Sequence, residues 1–239
     1  FGEVVGLSVY YGQRHRKEID YARASCDEVG ARHAELDVSA VVPRTMLTDA
    51  DAAIPCVSYA EIKGVSPTYV PFRNGLLLSA ATAHIVGERK QAFEARSREI
   101  VARPDPSKNC VRLHDGSCVG HDCPHNPELG EWGLYFGAHA EDAQNWAYPD
   151  CTPEFIGAMA NAIYIGTYRE VRLHAPLEWL GKAGIIRLGQ ELGVDWSLTW
   201  SCYAGGASHC GVCPTCRARR AGFVAAGVPD PTTYAQTTP

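Results

Sequence analysis

The chain has 239 residues, 46% of them hydrophobic and 21% charged, which is the composition of a globular protein with room for one substantial domain and an appendage. A formal net charge of -5 removes any global basic field for nucleic acid, leaving at most a local patch, and no run of about 18 apolar residues is available to span a bilayer. Ten cysteines that are not spaced as a disulfide framework, with no visible signal peptide, fit a reducing cytoplasm.

Phe1 leads directly into an apolar run, which points to a preceding segment. Glu3 to Tyr11 is short, β-branched and aromatic, and predicts a buried strand ended by Gly12. A helix follows with Ile19, Ala22, Cys26 and Val29 on one face, stopped by Gly30, and then a strand over about Arg32 to Val38. Strand, helix, strand is the rhythm of a βαβ unit and a parallel sheet. Ligands of such sheets sit at the carboxyl ends of strands, where Tyr11, Gly12, Gln13, Arg14 and His15 fall.

Residues 39 to 70 read as an irregular loop with Pro43, Pro55, Gly64 and Pro67. It ends in Tyr69-Val70-Pro71-Phe72-Arg73-Asn74, opening an apolar helix to about Val86. Arg73 and Asn74 therefore stand at a helix start, where backbone N–H groups attract anions, although a solvated surface arginine is the plain alternative. From about 88 to 131 the composition shifts, first to a charged stretch that reads as a surface helix. Cys110, His114, Cys118, His121, Cys123 and His125 then lie in a Gly/Asp/Pro-rich loop. They read either as a second metal site or as incidental residues of a surface insertion, since their spacing matches no zinc signature.

Trp132 to Ala140 resumes the strand pattern, with Glu141 and Asp142 at its carboxyl end. Tyr148-Pro149-Asp150-Cys151 leads into a helix with Thr152 as cap and Pro153 at its first position, its stripe formed by Phe155, Met159 and Ile163. A strand over Glu170 to His174 and a helix over Lys182 to Leu192, with Ile185, Leu188 and Leu192 inward, complete the pattern. A short helix is expected after Cys216 and a loosely ordered tail after Pro229.

Cys202, Cys210, Cys213 and Cys216 form a C-x7-C-x2-C-x2-C array. Two-residue gaps let neighbouring thiolates converge on one ion, and the longer gap brings the first ligand from another loop, the pattern of a closed structural Zn2+ site. Two disulfides or a redox C-x-x-C pair are the alternatives. The expected architecture is α/β, a parallel sheet with helices on both faces over residues 1–198, with a zinc-binding C-terminal region over 199–239.

YGQRH (Tyr11 to His15), YVPFRN (Tyr69 to Asn74), YPDCTPEF (Tyr148 to Phe155) and TWSCY (Thr199 to Tyr203), together with the cysteine quartet, resemble the 7-cyano-7-deazaguanine synthase family of the queuosine pathway. The resemblance covers nearly the whole chain outside the insertion. It implies the Rossmann-like, adenine-nucleotide α-hydrolase-like fold of the PP-loop ATP pyrophosphatases, a homodimer, and ATP, Mg2+ and Zn2+ as cofactors. The implied partners are the small molecules ATP, 7-carboxy-7-deazaguanine and ammonia, with no direct nucleic acid and no membrane.

The implied chemistry is adenylation of the carboxylate, attack by ammonia to an amide, then a second activation and loss of water to the nitrile. A carboxylate is a poor electrophile and AMP a good leaving group, so developing phosphate charge must meet cations and N–H donors. By position, Arg14, Arg73 and Lys182 are assigned to phosphate or carboxylate contacts. Tyr11, Gln13 and Asn74 are assigned to nucleotide or deazaguanine binding, and Asp150 to the heterocycle's amidine-like edge or, equally, to a structural hydrogen bond.

The family's Ser-Gly-Gly-x-Asp-Ser phosphate loop does not occur in these 239 residues. Either a processed or incomplete product or a degenerate member accounts for that, and intact motifs elsewhere favour the first. The competing functions are an amide-forming paralogue, another PP-loop reaction such as tRNA thiolation, and a non-catalytic zinc-stabilised module.

Overall fold

The computed structural model describes residues 3–102, 111–112, 118–119 and 132–236. Of the insertion's metal candidates, Cys110, His114, His121, Cys123 and His125 lie outside the described residues, and Cys118 is described in its backbone alone.

Strand β1 (Val5–Tyr10) pairs in parallel with β2 (Arg32–Asp37), Val5 opposite Arg32 and Tyr10 opposite Asp37. Helix α1 (Lys17–Glu28) crosses between them and packs on both, burying Ile19. It stops one residue before Val29, which is therefore 75% exposed rather than part of the buried face. Helix α2 (Arg73–Ala102) opens where expected and then continues well past Val86 as one helix. The apolar stretch and the charged stretch are thus one element, because Gly87 costs only about 1 kcal/mol in a helix interior and does not break it. Two short strands, β3 (Val111–Arg112) and β4 (Cys118–Val119), pair antiparallel within the insertion.

The second parallel pair joins β5 (Trp132–Tyr135) to β6 (Val171–His174), Trp132 opposite Val171. β5 is shorter than its sequence pattern. Phe136 still donates its N–H to the His174 carbonyl (2.8 Å), after which the chain turns away into the one-turn helix α3 (Ala140–Ala143). Helix α4 (Pro153–Gly166) packs on β6, its N-cap Thr152 accepting from the Phe155 N–H at 3.3 Å. Leu78 of α2, Ile163 of α4 and Val171 of β6 form the centre of the apolar core, with Trp132, Leu134 and Leu173 packed around them. Ile156 and Ile163 are the fully buried residues of α4, while Phe155 and Met159 are half-buried.

Helix α5 (Lys182–Glu191) turns Ile186 and Gly189 inward and leaves Leu192 exposed, a face rotated from the expected one. The reason is Trp196, whose ring lies where a side chain on Gly189 would stand. Helix α6 (Pro214–Ala226) packs against α5 and ends at Gly227 in the left-handed conformation. The tail beyond it is held rather than loose: Tyr234 pairs with His209 in a parallel bridge, and Gln236 donates to the Cys210 carbonyl at 3.2 Å. The chain is therefore an α/β protein built on parallel strand pairs, with a C-terminal cysteine lobe. Among the described residues no helix is long and apolar enough to cross a membrane.

Candidate active site and metal centre

The quartet is assembled by two backbone turns and the start of α6. The ligand atoms of Cys202, Cys210, Cys213 and Cys216 all lie within 4.8 Å of one another. Cys202, Cys213 and Cys216 are fully buried and Cys210 half-buried. Four sulfurs at about 2.3 Å from a central zinc fit this spacing. Backbone N–H groups already point at the sulfurs, from Cys210 to Cys202 Sγ at 3.3 Å and from Cys213 to Cys210 Sγ at 3.3 Å. Such bonds favour thiolates. Thiol donors on Cys202 and Cys216 push the Cys213 thiol far below its usual range, making it the first sulfur to ionise. Cys202, Cys210, Cys213 and Cys216 are free thiols and are not paired in disulfides. Gly211 allows the tail's close approach: its φ is +86°, and a side chain there would collide with the Gln236 carbonyl.

Other groups fasten this lobe to the sheet. The Cys202 carbonyl accepts from Trp200 Nε1 at 2.9 Å and lies 3.1 Å from His15 Nε2. The buried Arg219 donates to Thr232 Oγ1 (2.7 Å), Thr199 Oγ1 (2.9 Å) and the Trp196 carbonyl (3.1 Å), joining α6 to the preceding turn and to the tail. A lone arginine in a helix carries no such signal in sequence.

At the carboxyl end of β1, buried Tyr11 lies under the Arg73 guanidinium, whose carbon is 5.5 Å from the ring centroid. Burial raises the Tyr11 pKa, partly countered by Arg73, and burial likewise raises that of Glu18, the carboxyl on α1 that faces the same arginine. Gln13 is buried, and its side-chain oxygen accepts the Tyr11 N–H at 2.8 Å. Arg14 stands apart: its guanidinium donates to the Ala50 and Ala52 carbonyls at 2.8 and 2.7 Å, tying the long loop to the strand end.

Asn74 and Asp150 are both buried and bonded to each other, so α2 is capped from the Pro149–Cys151 turn. Cys151 beside them is pushed up to about 12, by burial first and then by the charges of Asp142 and Asp150, and stays a thiol.

Three tyrosines bridge these groups to the second strand end. Tyr203, from the cysteine lobe, lies near Tyr59 and Tyr148, and the Tyr59 and Tyr148 rings meet edge to face with centroids 6.1 Å apart. The Tyr148 hydroxyl is held by Thr68 at 2.6 Å and Ser66 at 3.0 Å. Burial raises the pKa of Tyr203 and of Tyr59 well above the phenol range, Asp142 adding to the effect on Tyr59, so both remain neutral donors.

Past β5, Lys182 meets Glu141, Asp142 and His139: Nζ is 3.0 Å from His139 Nε2, 3.5 Å from Glu141 Oε2 and 4.0 Å from Asp142 Oδ1. The structure thus brings Tyr11, Arg73, Asn74 and Asp150 together, and sets Lys182 in a neighbouring cluster linked through Tyr59 and Asp142. His139 and Tyr59 were not singled out by sequence reasoning, and Tyr148 and Tyr203 were named within motifs but given no role. For His139 the available signal was H-A-E-D at the carboxyl end of a predicted strand.

A family model described as queuosine biosynthesis protein QueC matches residues 1–116 and 127–227. The chain is similar to proteins named 7-cyano-7-deazaguanine synthase. That of Caldicellulosiruptor bescii is 34% identical over 97% of this chain and 86% of the relative, and that of Cupriavidus necator is 37% identical over 97% and 86%. The protein of that name from Chromohalobacter salexigens is 32% identical over 98% of this chain and 76% of its own length. With a family model covering most of the chain and relatives matched over nearly all of it, the chain belongs to the QueC family of queuosine biosynthesis proteins.

Proposed function

We propose that this protein is an ATP-dependent ligase that converts 7-carboxy-7-deazaguanine and ammonia to 7-cyano-7-deazaguanine. The observation that carries the reading is similarity over nearly the whole chain to proteins of that name, joined to a set of donors at the carboxyl ends of β1 and β5. In this reading the substrate carboxylate attacks the α-phosphorus of ATP, releasing pyrophosphate and leaving an acyl adenylate. Ammonia displaces AMP to give the amide, with loss of one proton. A second ATP activates the amide oxygen in the same way, and departure of AMP with the remaining N–H proton leaves the nitrile.

Arg73 and Lys182 are the cations assigned to phosphate or carboxylate charge, with Mg2+ accompanying the nucleotide. Tyr11 and the neutral hydroxyls of Tyr59 and Tyr203 supply hydrogen bonds without adding charge. Gln13, Asn74 and Asp150 spend bonds on the backbone around the site, which supports a role in shaping it. Arg14 is bound to the Ala50–Ala52 carbonyls, and reaching a phosphate would require it to leave them. Zn2+ in the quartet would hold the C-terminal lobe, and with it Tyr203, against the sheet ends. A homodimer in the cytoplasm completes the proposal.

Incubating the gene product with 7-carboxy-7-deazaguanine, ammonium and ATP, followed by mass detection, tests it. Nitrile with AMP and pyrophosphate is the expected result. Amide alone points to an amide-forming paralogue, and no ATP turnover removes both enzymatic readings.

A further inference from the structure

The cluster beyond β5 already holds a cation. Lys182 Nζ lies among the His139 ring, the Glu141 and Asp142 carboxylates and the face of Tyr59, whose ring centroid is 5.3 Å away. We propose that this cage is the binding site for the ammonium ion, filled at rest by the Lys182 side chain and opened when that side chain moves to a phosphate. The proposal rests on the ligase reading for its substrate, but its geometry stands without it.

A lysine head group and an ammonium ion carry the same charge on the same kind of N–H donor, so a cage that accepts one has the partners for the other. Lysine fills it imperfectly. Its stem permits a hydrogen-bond distance to His139, while the two carboxylates stay at 3.5 and 4.0 Å, and Asp142 Oδ1 is buried with no hydrogen-bond partner. A free ion with four donors can centre itself, and two carboxylates against one lysine leave the cage one negative charge in excess.

The cage also survives the lysine's departure. Glu141 is anchored separately, its Oε1 accepting the Lys182 backbone N–H at 2.6 Å. Lys182 is the first residue of α5, its own N–H taken by Glu141, so an arriving nucleotide phosphate competes for the side chain alone.

The same geometry provides for deprotonation. His139 Nε2 lies 3.0 Å from the position held by Nζ and 3.2 Å from Asp142 Oδ2. One N–H bond of the ammonium breaks, its electron pair stays on nitrogen as the nucleophile, and the proton goes to Nε2, which then donates to Asp142. Burial lowers the His139 pKa, Asp142 and Glu141 raise it, and Lys182 lowers it. These are the charged groups facing the ring, and because the ammonium ion takes over the Lys182 charge, it is the two carboxylates that favour the proton on the ring.

The test is titration of 15N-labelled ammonium chloride, read by 15N NMR line width and by calorimetry, into the wild type and Lys182→Ala. The variant's fold is checked by circular dichroism. Lys182→Ala should bind ammonium without nucleotide, the wild type should not, and adding Asp142→Asn to Lys182→Ala should weaken binding about tenfold or more. Equal ammonium binding by Lys182→Ala and wild type, or indifference to Asp142→Asn, overturns the cage. Should Lys182→Ala not fold, the nitrile assay decides with Asp142→Asn and Glu141→Gln: the KM for ammonium should rise about tenfold with the KM for ATP little changed, and equal rises in both overturn the proposal. A wild type that forms no nitrile while Lys182→Ala binds ammonium would fail the ligase reading and leave the cage standing.

Discussion

Asn74 and Asp150 are joined twice, the Asn74 N–H donating to Asp150 Oδ2 at 2.9 Å and its side-chain amide to the Asp150 carbonyl at 3.1 Å. The amide also reaches Cys151 Sγ at 3.1 Å. This pair couples the start of α2 to the turn before α4 and places a carboxylate at a helix N-terminus, where charge and unpaired N–H groups favour it. Asn74→Ala should cost about 1–3 kcal/mol of stability by leaving buried groups without partners, measured by urea denaturation. A loss below about 0.5 kcal/mol would mean that water replaces the amide at no cost.

The quartet predicts about one zinc per chain by metal analysis. Cys213→Ser should lower stability by about 2 kcal/mol or more and the Tm by about 4–8 °C, and chelation of the wild type should have the same sign. Full zinc content in a variant lacking all four quartet cysteines would place the metal elsewhere.

Arg219 binds three oxygens from a buried position and lies 3.8 Å from Asp230. Replacing it by Met should cost about 2–4 kcal/mol, because Thr199, Thr232 and Asp230 lose a shared donor. Lys should not rescue it, since one ammonium cannot reproduce the planar fork. Increased proteolytic cutting near residues 229–236 is the accompanying readout, as the tail loses one of its anchors.

Burial holds the His139 pKa below its ordinary value, so the folded protein favours the neutral ring. Below the unfolded value of about 6.5 the unfolded chain binds the proton more readily, and stability falls as pH drops. The stability gap between wild type and His139→Gln should therefore narrow from pH 7.5 toward pH 5.5, as measured by denaturant titration at each pH. A gap that widens toward acid would mean a raised pKa, with the charged ring held by Asp142 and Glu141.

Much of this protein was legible in its sequence because the relevant signals are local. The β-branched run before Gly12, the Thr152-Pro153-Glu154 helix start and the C-x7-C-x2-C-x2-C spacing each encode their structure within a few residues. Elsewhere the pattern was overridden by partners far away in the chain. Trp196 rotated the buried face of α5 through its contact with Gly189, the His209–Tyr234 bridge secured a tail of loop-like composition, and α2 ran through Gly87.

The sequence by itself determined the α/β alternation, the four-cysteine cluster and the family, since each depends on spacing along the chain. Which charges face one another was decided only by tertiary structure. Arg14 went to loop carbonyls, Asp150 to a helix end and Lys182 to a cage built with His139, 43 residues away. Those pairings minimise unsatisfied buried charge among segments distant in sequence, and the strand pairing and loop closure that bring the segments together set them.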